Sequence, residues 1–219
     1  MNPRELLESS FYPNIELLEA ISVKIECINS QNKIHTTGTG TLFACRGSFY
    51  VITAAHCIQE ETADSFPIEN IKISLPRFRK SYIEVKGVLL FMPNDEYDFA
   101  LLAVNFNIEP NSVFIDYENE IRFIGKDEFE NNACLYGYTS TEPNGRKFRT
   151  YMVSSDTYTI KEDISPTGAD FSRVMKGSSG GGIFVRYKDW ICCVGYVKSR
   201  MTEKDRLDDI KIRRIPVYY

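Results

Sequence analysis

The stretch SFYVITAAHC, residues 48–57, is an apolar run that closes on two alanines, a histidine and a cysteine. Its aromatic and β-branched residues, read with a period of two, predict a strand over FYVITAA (49–55). The chain has only two histidines, His35 and His56. A histidine after a strand is ordinarily a surface or satisfied core residue. One mounted on small residues at a strand end leaves room for its ring, and this raises the question of what the ring is for.

Working outward, the period of two continues almost everywhere. ISVKIECI (21–28), TGTLFAC (39–45), IKISL (71–75), IEVKGVLLF (83–91) and FALLAVNF (99–106) read as strands. A second series follows with ACLYGYT (133–139), FRTYMVSSDTYTI (148–160), GGIFVRY (181–187) and WICCVGYV (190–197). Turn chemistry separates them, as at Glu142-Pro143-Asn144-Gly145 and Ser165-Pro166-Thr167-Gly168. Many short strands at this spacing predict an all-β protein of antiparallel barrels or sandwiches. Two barrels of about 100 residues each, joined near residues 107–130, fit the length. Helix is expected only at the termini, over residues 3–20 with a break at Pro13, and the charged stretch 202–212 is left open between helix and other states.

Composition excludes several classes of function. The 219 residues are 43% hydrophobic and 26% charged, as in an ordinary globular protein with a real core. A net charge of −4 argues against a nucleic-acid binder, which needs a clustered basic surface. Arg77 to Lys80 and Lys211 to Arg214 are short basic stretches that read as solvated faces. Glu5, Glu8, Glu16 and Glu19 interrupt the first 21 residues, so they hold no apolar signal core, and no segment approaches the roughly 20 apolar residues of a membrane span. The six cysteines, at 27, 45, 57, 134, 192 and 193, include no CxxC pair and no metal-ligand spacing. Cys192 and Cys193 should point to opposite faces of one strand, so free thiols in a reducing, cytoplasmic setting are expected, with no metal and no cofactor.

Three short stretches carry possible chemistry: Ala54-Ala55-His56-Cys57, Asp98-Phe99-Ala100-Leu101-Leu102 and Gly177-Ser178-Ser179-Gly180-Gly181. Each alone is weak, since a glycine-rich loop is usually only a loop. Their order narrows the choice. An α/β-hydrolase carries its histidine after the nucleophile, whereas both histidines here precede Ser179. The subtilisin order needs an aspartate before the histidine, and residues 1–55 contain none. Only His, Asp, Ser remains.

At this point the chain resembles the trypsin/chymotrypsin-like serine peptidases. The resemblance rests on Gly40-Thr41-Leu42-Phe43, VITAAHC, DFALL at 98–102, Cys134-Leu135-Tyr136-Gly137-Tyr138 and Gly177-Ser178-Ser179-Gly180-Gly181, in the family's order over roughly residues 22–200. It implies two antiparallel six-stranded β-barrels with the active site between them. Residues 1–20 would be an N-terminal arm, either regulatory or a helix packed on the second barrel. Residues 21–108 would form the first barrel with His56 and Asp98, and 109–219 the second with Ser179. The implied activity is that of a serine endopeptidase acting through an acyl-enzyme. Ser179 is its nucleophile, His56 its base and Asp98 its orienting acid, with the backbone N–H groups of Gly177 and Ser179 as oxyanion hole. Ser178 and His35 compete for two of these roles, but the Gly-x-Ser-Gly-Gly frame favours Ser179, and His35 sits in a polar turn.

Departures from the family pattern sharpen the reading. Ser178 stands where secreted members carry an aspartate, and no Ile/Val-Gly-Gly start occurs near residue 22. The usual partner of Cys57 aligns with Gly38 and that of Cys134 falls near Val185, so an intracellular, disulfide-free member is expected. Arg173 occupies the base of the primary pocket. With Lys176, and with Lys198 and Arg200 on one face of the wall strand, it disfavours cleavage after Lys or Arg and favours acidic or small polar residues. The expected partners are a protein or peptide substrate and a dedicated regulatory or effector protein. The alternative is a catalytically silent fold of this type kept as a binding module.

Overall fold

The structure is a computed structural model that describes residues 15–76, 82–94, 97–107, 121–123, 134–139, 145–154, 157–160, 177–187, 190–200 and 209–214. It opens on a short helix, α1 (Ile15–Ile21), which runs directly into β1 (Ser22–Ile28). Two turns of helix are too short to stand alone in water. Packing holds this one: Leu18, Ala20 and Ile21 are fully buried, and α1 lies against β1 and β2.

The remaining strands of the first half are β2 (Ile34–Cys45), β3 (Ser48–Ala54), β4 (Ile71–Ser74), β5 (Tyr82–Met92) and β6 (Phe99–Asn107). They close into a barrel in the order β1-β2-β3-β6-β5-β4, with every pairing antiparallel. Alternation fills its interior: Val23, Ile25 and Cys27 from β1, Ile71 and Ile73 from β4, and Leu102, Val104 and Phe106 from β6 are all buried. β5 carries two register shifts, between Val85 and Gly87 and between Val88 and Leu90. Such bulges bend a strand and let the sheet curl closed.

One feature of this barrel governs the site. β2 and β3 pair from Cys45↔Ser48 up to Thr41↔Ile52, after which neither Gly40 with Thr53 nor Thr39 with Ala54 is paired. The two strand ends open into a fork.

The second half contains β7 (Ile121–Phe123), β8 (Cys134–Gly137), β9 (Arg146–Ser154), β10 (Thr157–Ile160), β11 (Gly182–Tyr187), β12 (Trp190–Arg200) and β13 (Asp209–Arg214). They form one sheet in the order β11-β8-β9-β10-β13-β12-β7, and β11 also pairs with β12. Successive pairings of β8, β9, β10, β13, β12 and β11 therefore run in a ring of six. β7 lies outside that ring, parallel to the first half of β12. This fits the expected fold class, with β7 as an addition.

Three sequence readings are refined by the structure. FRTYMVSSDTYTI is a hairpin rather than one strand, because β9 and β10 pair antiparallel from Ser154↔Thr157. The charged C-terminal stretch is not helical at residues 209–214. It is strand β13, held between β10 and β12. The N-terminal helix covers Ile15–Ile21; residues 3–14 lie outside the described residues.

Candidate active site

β3 ends at Ala54, and Ala55–Cys57 forms a single 3-10 turn. Ala54 and Ala55 are fully buried, so the turn seats tightly and lifts the next residue outward. The Asp98 segment fixes that turn twice through the backbone. Ala55 N–H donates to the Asp98 carbonyl at 3.0 Å, and His56 N–H donates to Asp98 Oδ1 at 3.0 Å. The other carboxylate oxygen, Oδ2, lies 2.7 Å from His56 Nδ1. A carboxylate only accepts, so Nδ1 carries the proton, and in the neutral ring Nε2 keeps its lone pair.

Asp98 itself is buried and has a positive φ of 47°. Aspartate is one of the few residues that visit this region. It is held there by the loop before it, in which Asn94 accepts from Asp98 N–H through its carbonyl (2.9 Å) and from Tyr97 N–H through Oδ1 (2.8 Å). Tyr196 of β12 braces both neighbours. Its hydroxyl donates to the Tyr97 carbonyl at 2.5 Å, and its ring lies 5.7 Å from that of Phe99.

The His56 side chain is 43% exposed and that of Asp98 only 11%. Partial burial works against a charged ring. The hydrogen bond that Nδ1 donates to Asp98, the adjoining Cys57 and the carboxylate's charge together outweigh it and raise the imidazolium pKa from the ordinary 6.5 to about 10.

The glycine-rich loop enters the fork between β2 and β3. Gly180 has φ +79°, and a Cβ there would lie 2.2 Å from Thr53 Oγ1, 2.3 Å from the Thr39 carbonyl and 2.8 Å from Ala54 N. Only glycine fits this gap. Thr53 Oγ1 in turn donates to the Thr39 carbonyl at 2.8 Å, and Gly180 N–H donates to the Val197 carbonyl at 2.8 Å. The Ser179 carbonyl accepts from Thr39 N–H at 2.8 Å and from Cys57 Sγ at 3.3 Å. Ser179 is thus bonded to the residue that follows His56. Gly177, at φ +101°, presses on Tyr138, whose carbonyl would be 2.6 Å from an added Cβ.

The two serines differ. Ser178 is 2% exposed with its Cβ against Gly137, while Ser179 is only half-buried. His35 is exposed on β2 and its ring lies 5.6 Å from Phe66, in a polar segment distinct from the 55–57 turn. The alignment of Gly38 with Cys57 has a direct counterpart, since a Cβ on Gly38 would sit 2.5 Å from Cys57 Sγ. Cys27, Cys45, Cys57, Cys134 and Cys193 are free thiols.

Of the expected pocket residues, Arg173 and Lys176 lie outside the described residues. Lys198 and Arg200 fall in β12, where the register against β13 shifts between Val197 and Ser199. Sequence reasoning missed Thr39 and Tyr196 as supports of the site. Their side chains act across the barrels, and no local pattern marks that.

The sequence profile of the trypsin family matches residues 23–206. The chain belongs to the trypsin family. It is a trypsin-like serine protease, built largely of β-structure around a closed six-stranded antiparallel barrel. Among solved structures, the active form of the Rv3671c protease from M. tuberculosis is similar at 18% identity and a TM-score of 0.56, over 93% of this chain and 83% of that one. The inactive form of the same protein, a serine-to-alanine mutant from M. tuberculosis H37Rv, is similar at 18% identity and a TM-score of 0.56, over 91% and 83%. No curated protein matches the protease by sequence.

Proposed function

We propose that the protease hydrolyses peptide bonds through an acyl-enzyme, with Ser179 as nucleophile, His56 as general base and Asp98 as its orienting anion. The observation that carries this reading is the double grip of Asp98 on His56, 2.7 Å to Nδ1 and 3.0 Å to the backbone N–H. A serine hydroxyl is a poor nucleophile at neutral pH and needs a base with a free lone pair, which the Nδ1-protonated tautomer provides at Nε2. His56 takes the Ser179 proton as Oγ attacks the substrate carbonyl, and then gives it to the leaving amine. Water repeats the attack on the ester and releases the acid. The oxyanion of each tetrahedral intermediate is met by the Gly177 and Ser179 N–H groups. Gly177, free to hold φ +101°, suits that task.

In this reading residues 21–108 supply base and acid, residues 109–219 supply nucleophile and pocket, and residues 1–20 form an arm ahead of the first barrel. Arg173, Lys176, Lys198 and Arg200 give the pocket a cationic lining that prefers acidic or small polar residues. The free thiols support a reducing, cytoplasmic setting. There, narrow specificity towards one dedicated protein partner restrains the activity. The test is digestion of a peptide library by wild type and Ser179→Ala. Cleavage after acidic or small polar residues, absent in the variant, is expected. Cleavage that persists in the variant refutes the mechanism, and dominant cleavage after Lys or Arg refutes the pocket.

A further inference from the structure

Thr39 is a fully buried polar residue of β2, flanked by Gly38 and Gly40. Its hydroxyl donates to the Gly177 carbonyl at 2.8 Å and accepts the Tyr138 N–H at 3.0 Å. Its own N–H donates to the Ser179 carbonyl at 2.8 Å. One residue of the first barrel thus holds two of three successive carbonyls in the loop of the second. The third, that of Ser178, accepts from Gly181 N–H at 2.9 Å.

A trans peptide moves as a rigid plane, with its carbonyl and N–H on opposite sides. Fixing the three carbonyls therefore fixes the amides that share their planes, including the Ser179 N–H. The Gly177–Ser178 plane is the hinge between the two amides read above as oxyanion donors. Its carbonyl is the one the Thr39 hydroxyl holds.

We propose that Thr39 is a positioning residue for the reaction: through its hydroxyl and its amide it sets the angle between the Gly177 and Ser179 N–H groups while touching no substrate itself. This rests on the reading of those two amides as the oxyanion hole. Serine can replace the hydroxyl, with one proton to give and a lone pair to receive. Valine fills the same space with neither.

The experiment compares Thr39→Val and Thr39→Ser in the full chain, by peptide turnover, thermal unfolding and the ¹⁵N amide signals of Gly177 to Gly181. Thr39→Val is expected to lose about 10- to 100-fold in kcat with KM within about threefold, while Thr39→Ser stays within about threefold of wild type in both. The Ser178 and Ser179 amide signals should move in the valine variant and return in the serine variant. Wild-type kcat in Thr39→Val overturns the proposal, as do unmoved amide signals. A folded Thr39→Ser that is as slow as Thr39→Val, or itself inactive, also overturns it, because packing rather than the hydroxyl would then be responsible. If wild type shows no turnover that depends on Ser179, the triad reading fails instead, and the amide signals alone decide the role of Thr39.

Discussion

Gly180→Ala probes the interlock between the glycine loop and the β2–β3 fork. The added methyl would lie 2.2 Å from Thr53 Oγ1, 2.3 Å from the Thr39 carbonyl oxygen and 2.8 Å from Ala54 N, and two of these atoms are backbone that cannot swing away. Relief requires the loop to back out of the fork. That motion gives up the bonds from Gly180 N–H to Val197 and from Thr39 N–H to Ser179, each 2.8 Å long. At about 1 kcal/mol per bond the loss is about 2 kcal/mol. A left-handed φ of +79° adds about 1–2 kcal/mol for any residue with a Cβ. The sum of about 3–4 kcal/mol is a large part of the roughly 5–15 kcal/mol that holds a domain folded. Urea unfolding of Gly180→Ala should therefore show a sharply lowered midpoint, and its reaction with a serine-directed phosphonate should be lost. A variant within about 1 kcal/mol of wild type that still reacts at the wild-type rate would refute the placement of Gly180 in the fork.

Three further outcomes are expected. A base must be neutral, so a pKa raised above 6.5 puts the acid limb of kcat/KM above pH 6.5. The stabilising His56–Asp98 charge pair has the opposite sign: its contribution is full below pH 6.5 and is lost as pH rises through the folded-state pKa. In Asp98→Asn the limb should move down, that loss of stability should disappear, and neutral-pH activity should fall by about 10,000-fold; an unmoved limb in a pH–rate series counts against the pairing. Tyr196→Phe removes the 2.5 Å bond to Tyr97 and loosens Asp98, so steady-state kcat should drop about tenfold, the equivalent of about 1.4 kcal/mol. An unchanged kcat would remove Tyr196 from the account. Among the five described thiols, Cys45 is exposed and should react first with a thiol reagent under native conditions. Cys27, fully buried with its pKa pushed up to about 11 by desolvation, should react only on unfolding, and peptide mapping of the modified sites reads this directly.

Much of the first barrel was legible because its strands are half-buried and alternate cleanly. FALLAVNF became β6 within a residue, and FYVITAA (49–55) became β3 within a residue at each end. Periodicity alone could not see where a run folds back, so the polar Ser154-Ser155-Asp156 interruption of a hairpin was read through as strand. Nor could it recognise β13, whose charged residues outweigh Ile210 and Ile212 in any local count and which forms by pairing with β10 and β12. In the candidate site the pairing of His56 with Asp98 was legible, since a histidine base needs an anion behind its ring. The site's supports were not. Thr39, Tyr196 and the left-handed Asp98 act through contacts between residues about 40 to 140 positions apart, and no window of sequence contains both partners.

In the mechanism proposed above, Ser179 and not its neighbour Ser178 is activated by His56. The most direct measurement is fluorophosphonate labelling of purified protein at neutral pH, with the modified residue located by peptide mass spectrometry. Labelling of wild type and Ser178→Ala at Ser179 is expected, and none in Ser179→Ala or His56→Ala. Labelling on Ser178, or labelling that survives in Ser179→Ala, would contradict it.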